Sequence, residues 1–257
     1  MLVTTVHDPT MKDIELAQIW AKRLNAALVE RNGLSIRKLQ AMDEKGEVLV
    51  VSQSETKCYS HAQSPVFFHP GMAMIRIKRL MNGDNDLLLE AAEAAEGDVI
   101  LDCTAGLASD SIVLSYAAGP SGKVTAVESS ALLYWMAKDG LNQYISDLHE
   151  LNEAMRRISL VHADHLDVLR TLPDRSIDII YFDPMFRIPV VQSPSMRPLR
   201  YWANSAPIRK EAIVEAKRAA RKTIVLKEHR DSPEFSRLGF DHVHRTRSNI
   251  AYGVIHL

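Results

Sequence analysis

The chain has 257 residues, 46% of them hydrophobic and 25% charged, which fits a soluble globular protein of one large domain or one domain plus a small one. No apolar run approaches the roughly 18 residues that span a bilayer, and no basic segment followed by a cleavable apolar stretch opens the chain, so a cytoplasmic protein is expected. Two cysteines, Cys58 and Cys103, are too few and too far apart for a disulfide framework or a zinc cage. The net charge of −1 hides an asymmetry: from Pro184 onward there are 14 Lys and Arg against 6 Asp and Glu, and before it 17 against 26. Such polarity suits a surface that meets phosphates, although a solvated helix face produces part of it.

The opening "MLVTTV" reads as a short strand, and "DIELAQIWAKRLNAALVE" repeats apolar residues at helical spacing through Ile14, Leu16, Ile19, Trp20, Leu24 and Leu28. "LSIRKLQAM" and "EVLVVSQS" alternate as strands across the polar turn "DEKGE". The prolines and glycine of "HAQSPVFFHPGM" place a boundary near residues 60–71, with a small α/β domain over residues 1–65. Beyond it, strand and helix alternate. "DVILDC", "KVTAVES", "ISLVHAD", "SIDIIYFDP", "KTIVLKE", "FDHVHRT" and "IAYGVIHL" are the strand candidates, which predicts a parallel sheet wrapped on both faces, with a final hairpin as antiparallel edge. Ligands of such sheets lie at the carboxyl ends of the strands.

Four motifs fall at those ends. "VILDCTAGLASDS" (residues 99–111) is a strand, a turn of small residues and a helix start, so its backbone admits a ligand closely. Thr104, Gly106 and Ala108 follow the acid, in place of the three-glycine spacing that cradles a pyrophosphate; this disfavours a dehydrogenase. The acid-x-x-x-Gly spacing suits S-adenosylmethionine, whose ammonium Asp102 can accept. Glu128, at the end of "TAVESS" and about 20 residues from the glycine turn, is placed to hold ribose hydroxyls. Asp164 in "VHAD" can accept from the adenine amine, flanked by His162 or Ala163, or can cap the helix that follows.

The fourth motif, "YFDPMF" (residues 181–186), puts an acid, a proline and an aromatic ring at the end of a buried strand. An exocyclic amine on a nucleobase is a poor nucleophile because its lone pair is delocalised into the ring. Acceptors from Asp183 and the Pro184 carbonyl can redirect that lone pair, and Phe186 can stack on the base. A plain Asp-Pro turn is the structural alternative.

"LDCTAGLASDS" followed by "YFDPMF" resembles the class I S-adenosylmethionine-dependent methyltransferases, and among them the bacterial J-type small-subunit rRNA guanine-N2 methyltransferases. The resemblance covers roughly residues 66–257 and implies an α/β fold with a Rossmann-like seven-stranded sheet behind a small N-terminal α/β domain. It further implies cofactor contacts at Asp102, Thr104, Gly106, Leu107, Glu128 and Asp164, amine recognition at Asp183, Pro184 and Phe186, and RNA in the small ribosomal subunit as partner. Ala108 stands where the family has a second glycine. "RIPVVQSPSMRP" replaces the proline and basic run that follow the aromatic, and "MIRIKRLMNGDN" replaces an arginine- and glycine-rich stretch. Phosphate contacts are expected from Arg76, Lys78, Arg79, Arg187, Arg197 and Arg200, which would make binding fall with salt. The histidines show no compact metal spacing, methyl transfer from a sulfonium needs no metal, and none is expected. Two rivals remain: methylation of DNA or of a small molecule, and a noncatalytic protein that keeps the cofactor pocket.

Overall fold

The computed structural model describes residues 1–61, 64–186, 196–240, 242–245 and 248–257. They form two compact units: Met1–His69 with the helical segment Met196–Trp202, and the remaining described residues from Pro70 on.

The first unit runs β1 (Leu2–Thr5), α1 (Met11–Leu24), β2 (Ala27–Leu28), α2 (Ile36–Gln40), β3 (Val48–Val51) and β4 (Thr56–Tyr59). The sheet order is β2-β1-β3-β4, with β1 parallel to both neighbours and β4 antiparallel to β3. A reciprocal capping box between Thr10 and Asp13 starts α1, and Asn25 in the left-handed region ends it. The helical periodicity through Leu28 therefore overran: Ala27 and Leu28 pair with β1 instead. "LSIRKLQAM" is a helix, not a strand. Ser35 caps it by accepting from the Lys38 amide, and only Leu39 is buried, so its short alternation had no sheet to face.

The second unit runs α3 (Gly71–Met81), α4 (Leu87–Ala92), β5 (Val99–Asp102), α5 (Ser109–Ala118), β6 (Lys123–Glu128), α6 (Ala131–Gln143), α7 (His149–Arg156), β7 (Ile158–His162), α8 (His165–Thr171) and β8 (Ile177–Phe182). After α9 (Met196–Trp202), which belongs to the first unit, it continues with α10 (Lys210–Ala219), β9 (Ala220–His229), α11 (Glu234–Leu238), β10 (His242–Arg245) and β11 (Ile250–His256). Seven strands lie in the order β10-β11-β9-β8-β5-β6-β7. Those from β7 across to β9 are parallel, and β11 is antiparallel to β9 and β10.

Successive residues serve opposite faces of this sheet. Ile100, Ile179, Tyr181 and Val225 join one apolar cluster with Leu88 and Leu114, while Leu101, Ile180, Phe182 and Leu226 join the other with Ile213. Burial on both faces explains the continuous apolar strands. The final hairpin forms the expected antiparallel edge, with the last strand as its inner member. Ala251, Tyr252 and Val254 of β11 are buried, so β11 sits between β9 and the more polar β10. Gly253 is required there, because a Cβ would come within 2.6 Å of the Phe235 ring.

Candidate active site

The parallel strands β5, β6, β7 and β8 bring their carboxyl ends to one edge, and Asp102, Glu128 and Asp183 are gathered there. Asp102 is buried at the end of β5. Its Oδ1 accepts from the Thr104 amide at 3.0 Å and its Oδ2 from Ser111 Oγ at 2.5 Å. Burial pushes its carboxyl up to about 7 against those two donors, and nearby Asp110 and Asp183 push the same way. The turn that follows uses two left-handed residues, Gly106 (φ 55°) and Ala108 (φ 63°), before α5 begins. Ala105 pins it to the sheet by donating to the Val127 carbonyl at 2.9 Å.

Glu128 closes the other side of the turn. Its Oε2 accepts from the Gly106 amide at 2.8 Å and its Oε1 from the Ser130 amide at 2.7 Å. Burial raises its pKa despite these bonds. A carboxylate has more acceptor sites than these donors fill, which leaves capacity for a ribose hydroxyl. A Cβ built on Gly106 meets nothing within 4 Å, so the turn borders open space. A buried carboxylate for an ammonium, an acid with spare acceptor capacity and an open turn all fit S-adenosylmethionine. Leu107 is half-buried in the same turn. Asp164 is the N-cap of α8, accepting from the Leu166 amide at 2.9 Å and from Arg209 Nη2 at 2.6 Å.

Asp183 follows β8 and is fixed from two directions. Its amide donates to Thr104 Oγ1 at 2.6 Å, and its Oδ2 accepts from Lys227 Nζ at 2.8 Å. Among the described residues its Oδ1 accepts no hydrogen bond. Lys227 also donates to Asp110 Oδ2 at 2.8 Å, the atom that accepts from the Tyr181 hydroxyl at 2.7 Å. Asp110 Oδ1 is paired with Arg76, whose remaining edge holds Asp86 at 2.7 and 2.8 Å.

Charges therefore alternate from Asp86 through Arg76, Asp110 and Lys227 to Asp183. Burial works to neutralise Asp110, but Lys227 and Arg76 outweigh it and hold the carboxyl below its usual range. For Asp183 burial prevails over Lys227, and the pKa is raised. Lys227 stays protonated because the two carboxylates more than offset its burial.

Arg76 is turned away from a phosphate role: its guanidinium is committed to Asp86 and Asp110, and only 18% of its side chain is exposed. Lys78 and Arg79 are exposed on α3, with Arg79 Nε 3.2 Å from Asp84. Arg200 is half-buried on α9 of the first unit. Arg187 and the side chain of Arg197 lie outside the described residues. Pro184 and Phe186 are half-buried beside Asp183. Sequence reasoning missed Asp110, Ser111, Tyr181 and Lys227. The available signals were a charge in the apolar start of α5 and a lysine inside the apolar run "TIVLKE".

The strand order with an antiparallel β11, and the acids at the strand ends, define a class I methyltransferase domain. Comparisons agree. The family model "Putative SAM-dependent methyltransferase" (SAM_MT) matches residues 28–249, and the chain belongs to that family. It is 38% identical to the Bacillus subtilis protein YpiP over 254 residues, which is 99% of this chain and 98% of that one. Ribosomal RNA small subunit methyltransferase J of Acinetobacter baumannii is 31% identical over 104 residues, 40% of this chain and 36% of that protein. The Hahella chejuensis protein of the same name is 26% identical over 215 residues, 78% of this chain and 79% of its own. The crystal structure of a SAM-dependent methyltransferase from Neisseria gonorrhoeae superposes with a TM-score of 0.65 at 18% identity, covering 100% of this chain and 96% of that one, a likeness of fold. The protein is a methyltransferase and its cofactor is S-adenosylmethionine.

Proposed function

We propose that the protein methylates an exocyclic amine of a nucleobase in RNA, guanine N2 of small-subunit ribosomal RNA, in the cytoplasm. The observation that carries this reading is the Asp183 carboxylate, held at the sheet edge by Lys227 and Thr104 with Oδ1 left to accept from an amine. Partial similarity to the methyltransferases J named above supports the choice of RNA.

S-adenosylmethionine supplies a methyl group made electrophilic by its sulfonium. Asp102 would hold its ammonium and Glu128 its ribose hydroxyls; Asp164, which caps α8, would offer a further acceptor for the adenine amine. Asp183 Oδ1 and the Pro184 carbonyl accept from the base amine and favour a pyramidal nitrogen whose lone pair points at the methyl group. Phe186 stacks on the base. Transfer would form the N–C bond as the sulfur–methyl bond breaks and its electron pair returns to sulfur, leaving the neutral thioether, and the proton lost from nitrogen would pass to solvent through the acceptor side of the site. The rate enhancement comes from positioning and from acceptors already in place.

The test is incubation with labelled S-adenosylmethionine and unmodified small-subunit particles or their RNA, followed by digestion and mass spectrometry of nucleosides. Label in N2-methylguanosine, lost in Asp183→Ala, is the expected result. Cofactor binding without any labelled RNA nucleoside overturns the RNA reading and moves a DNA or small-molecule substrate ahead.

A further inference from the structure

The first unit contains a pocket of its own. Its cavity of about 390 Å³ lies beyond the carboxyl ends of the parallel pair β1 and β2 and against one side of α1. Its lining includes His7 after β1, Ile14 and Ala17 of α1, Leu28 and Val29 of β2 and the turn after it, and Arg31. Pockets of this size at this position in parallel α/β sheets are where small ligands bind.

Arg31 is the unusual member. The residue is only 8% exposed, yet its Nε and Nη1 are buried without any hydrogen-bond partner. Among the described residues the one hydrogen-bond contact of its guanidinium is Nη2 to His7 Nε2 at 3.4 Å, at the outer limit of a hydrogen bond. Among the described residues no carboxylate pairs with it; the neighbouring Glu30 bonds Asn32 instead. A buried guanidinium without a counter-ion is a costly arrangement that a fold does not keep for packing alone. Beside it, Leu28 leaves 46% of its surface exposed on the wall of the same pocket. One wall is thus an unsatisfied cation and the other is uncovered apolar surface.

We propose that this pocket binds a small organic oxyanion, a phosphate monoester or carboxylate, with the anionic group on Arg31 and a compact apolar body against Ile14, Ala17, Leu28 and Val29. The planar fork of arginine suits both oxyanions, since each offers two oxygens at matching spacing. The proposal is independent of the RNA reading, because every residue it uses belongs to the first unit.

The test titrates the full-length protein, saturated with S-adenosylmethionine, with phenyl phosphate, benzoate and the neutral benzamide by calorimetry. At least one anion is expected to bind saturably, at least tenfold more tightly than benzamide and tenfold more tightly than to Arg31→Met. Cofactor affinity of Arg31→Met should match the wild type, which also verifies its folding. Without ligand, Arg31→Met should melt at the same or a higher temperature, since it removes an unpaired buried charge, and only the wild type should gain stability from the anion. Methyl NMR of the wild type locates the probe without any variant, through shifts at Ile14, Leu28 and Val29. The proposal is overturned if neither anion binds, if benzamide binds as well, if Arg31→Met binds equally or melts lower, or if the shifts fall elsewhere.

Discussion

Thr104 and Asp183 are joined by a 2.6 Å hydrogen bond in which the Asp183 amide donates to the threonine hydroxyl. One residue belongs to the cofactor turn after β5 and the other to the loop after β8, and these strands are adjacent and parallel. The hydroxyl thus ties the methyl donor's cradle to the proposed amine acceptor, beyond the last backbone bond of the strand pair, Cys103 amide to Tyr181 carbonyl at 2.8 Å. Thr104→Val keeps the shape and removes the acceptor, leaving an amide unpaired at a cost of about 1–3 kcal/mol. Small misplacements of reacting groups are worth up to about 10²-fold in rate. Single-turnover methyl transfer should therefore fall roughly tenfold or more in Thr104→Val and stay near wild type in Thr104→Ser. Equal rates in the two variants would show that the bond positions nothing.

Lys227 is the only cation that bridges Asp110 and Asp183 among the described residues. Lys227→Met leaves two carboxylates close together in a buried site, and losing one partner of a buried ion pair costs about 3–5 kcal/mol. Lys227→Arg retains the charge and should lose less in urea unfolding. The kinetic signature is separate from stability. Lys227 is the main influence that opposes the raised pKa of Asp183, so its removal should move the acid limb of the kcat/KM profile to higher pH. A limb that stays in place in a folded Lys227→Met would show that the lysine does not tune the acid.

What the sequence made legible was local. Seven strand candidates in the second unit follow from apolar runs bounded by turns, and parallel topology alone carries Asp102, Glu128 and Asp183 to one edge. The charge row behind Asp183 was not legible, because its members come from α3, the start of α4, α5 and β9. Arg76 is 34 residues from Asp110, and Lys227 is 117 residues from it. No periodicity records such pairings. Arg76 read as a surface cation for the same reason: its position on a basic helix is visible in the sequence, and its two carboxylate partners are not. The α2 segment failed differently, as five residues carry too little pattern to separate one helical turn from a strand. The insertion of β11 next to β9 is a tertiary choice made by burial, and chain order does not reveal it.

Asp102 predicts a pH dependence with a definite sign. Its carboxyl is pushed up to about 7 in the folded chain, against about 3.9 when unfolded. Its contribution to folding stability is fully present below the unfolded value and is lost as pH rises through about 7 in the cofactor-free protein. Cofactor affinity runs the opposite way, because the ammonium needs the ionised acid. Calorimetric affinity for S-adenosylmethionine should rise from pH 6 to about 8, with proton release on binding below about pH 7. Asp102→Asn should weaken binding by roughly 10- to 100-fold, the worth of a charged hydrogen bond, and flatten the profile. An unchanged profile in that variant would assign the titration to another group.

Ala108 stands in the cofactor turn where the resemblance leads one to expect a glycine, and its geometry sets what that replacement costs. It adopts φ 63° at the start of α5, a left-handed conformation that penalises a Cβ by about 1–2 kcal/mol. Its methyl is fully buried, so the side chain also fills space that glycine would leave empty. Ala108→Gly relieves the strain but loses that packing and gains unfolded-chain entropy, worth about 0.4–1 kcal/mol against the folded state. These opposing contributions nearly cancel, so stability should stay within about 1 kcal/mol of wild type. The Ile112 amide bond to the Ala108 carbonyl is a backbone interaction and survives the change. If the methyl crowds the cofactor, affinity for S-adenosylmethionine rises in Ala108→Gly while the melting temperature barely moves. If it only packs the turn, affinity is unchanged and Ala108 is a tolerated replacement in a site whose contacts come from Asp102, Glu128 and the turn's open backbone.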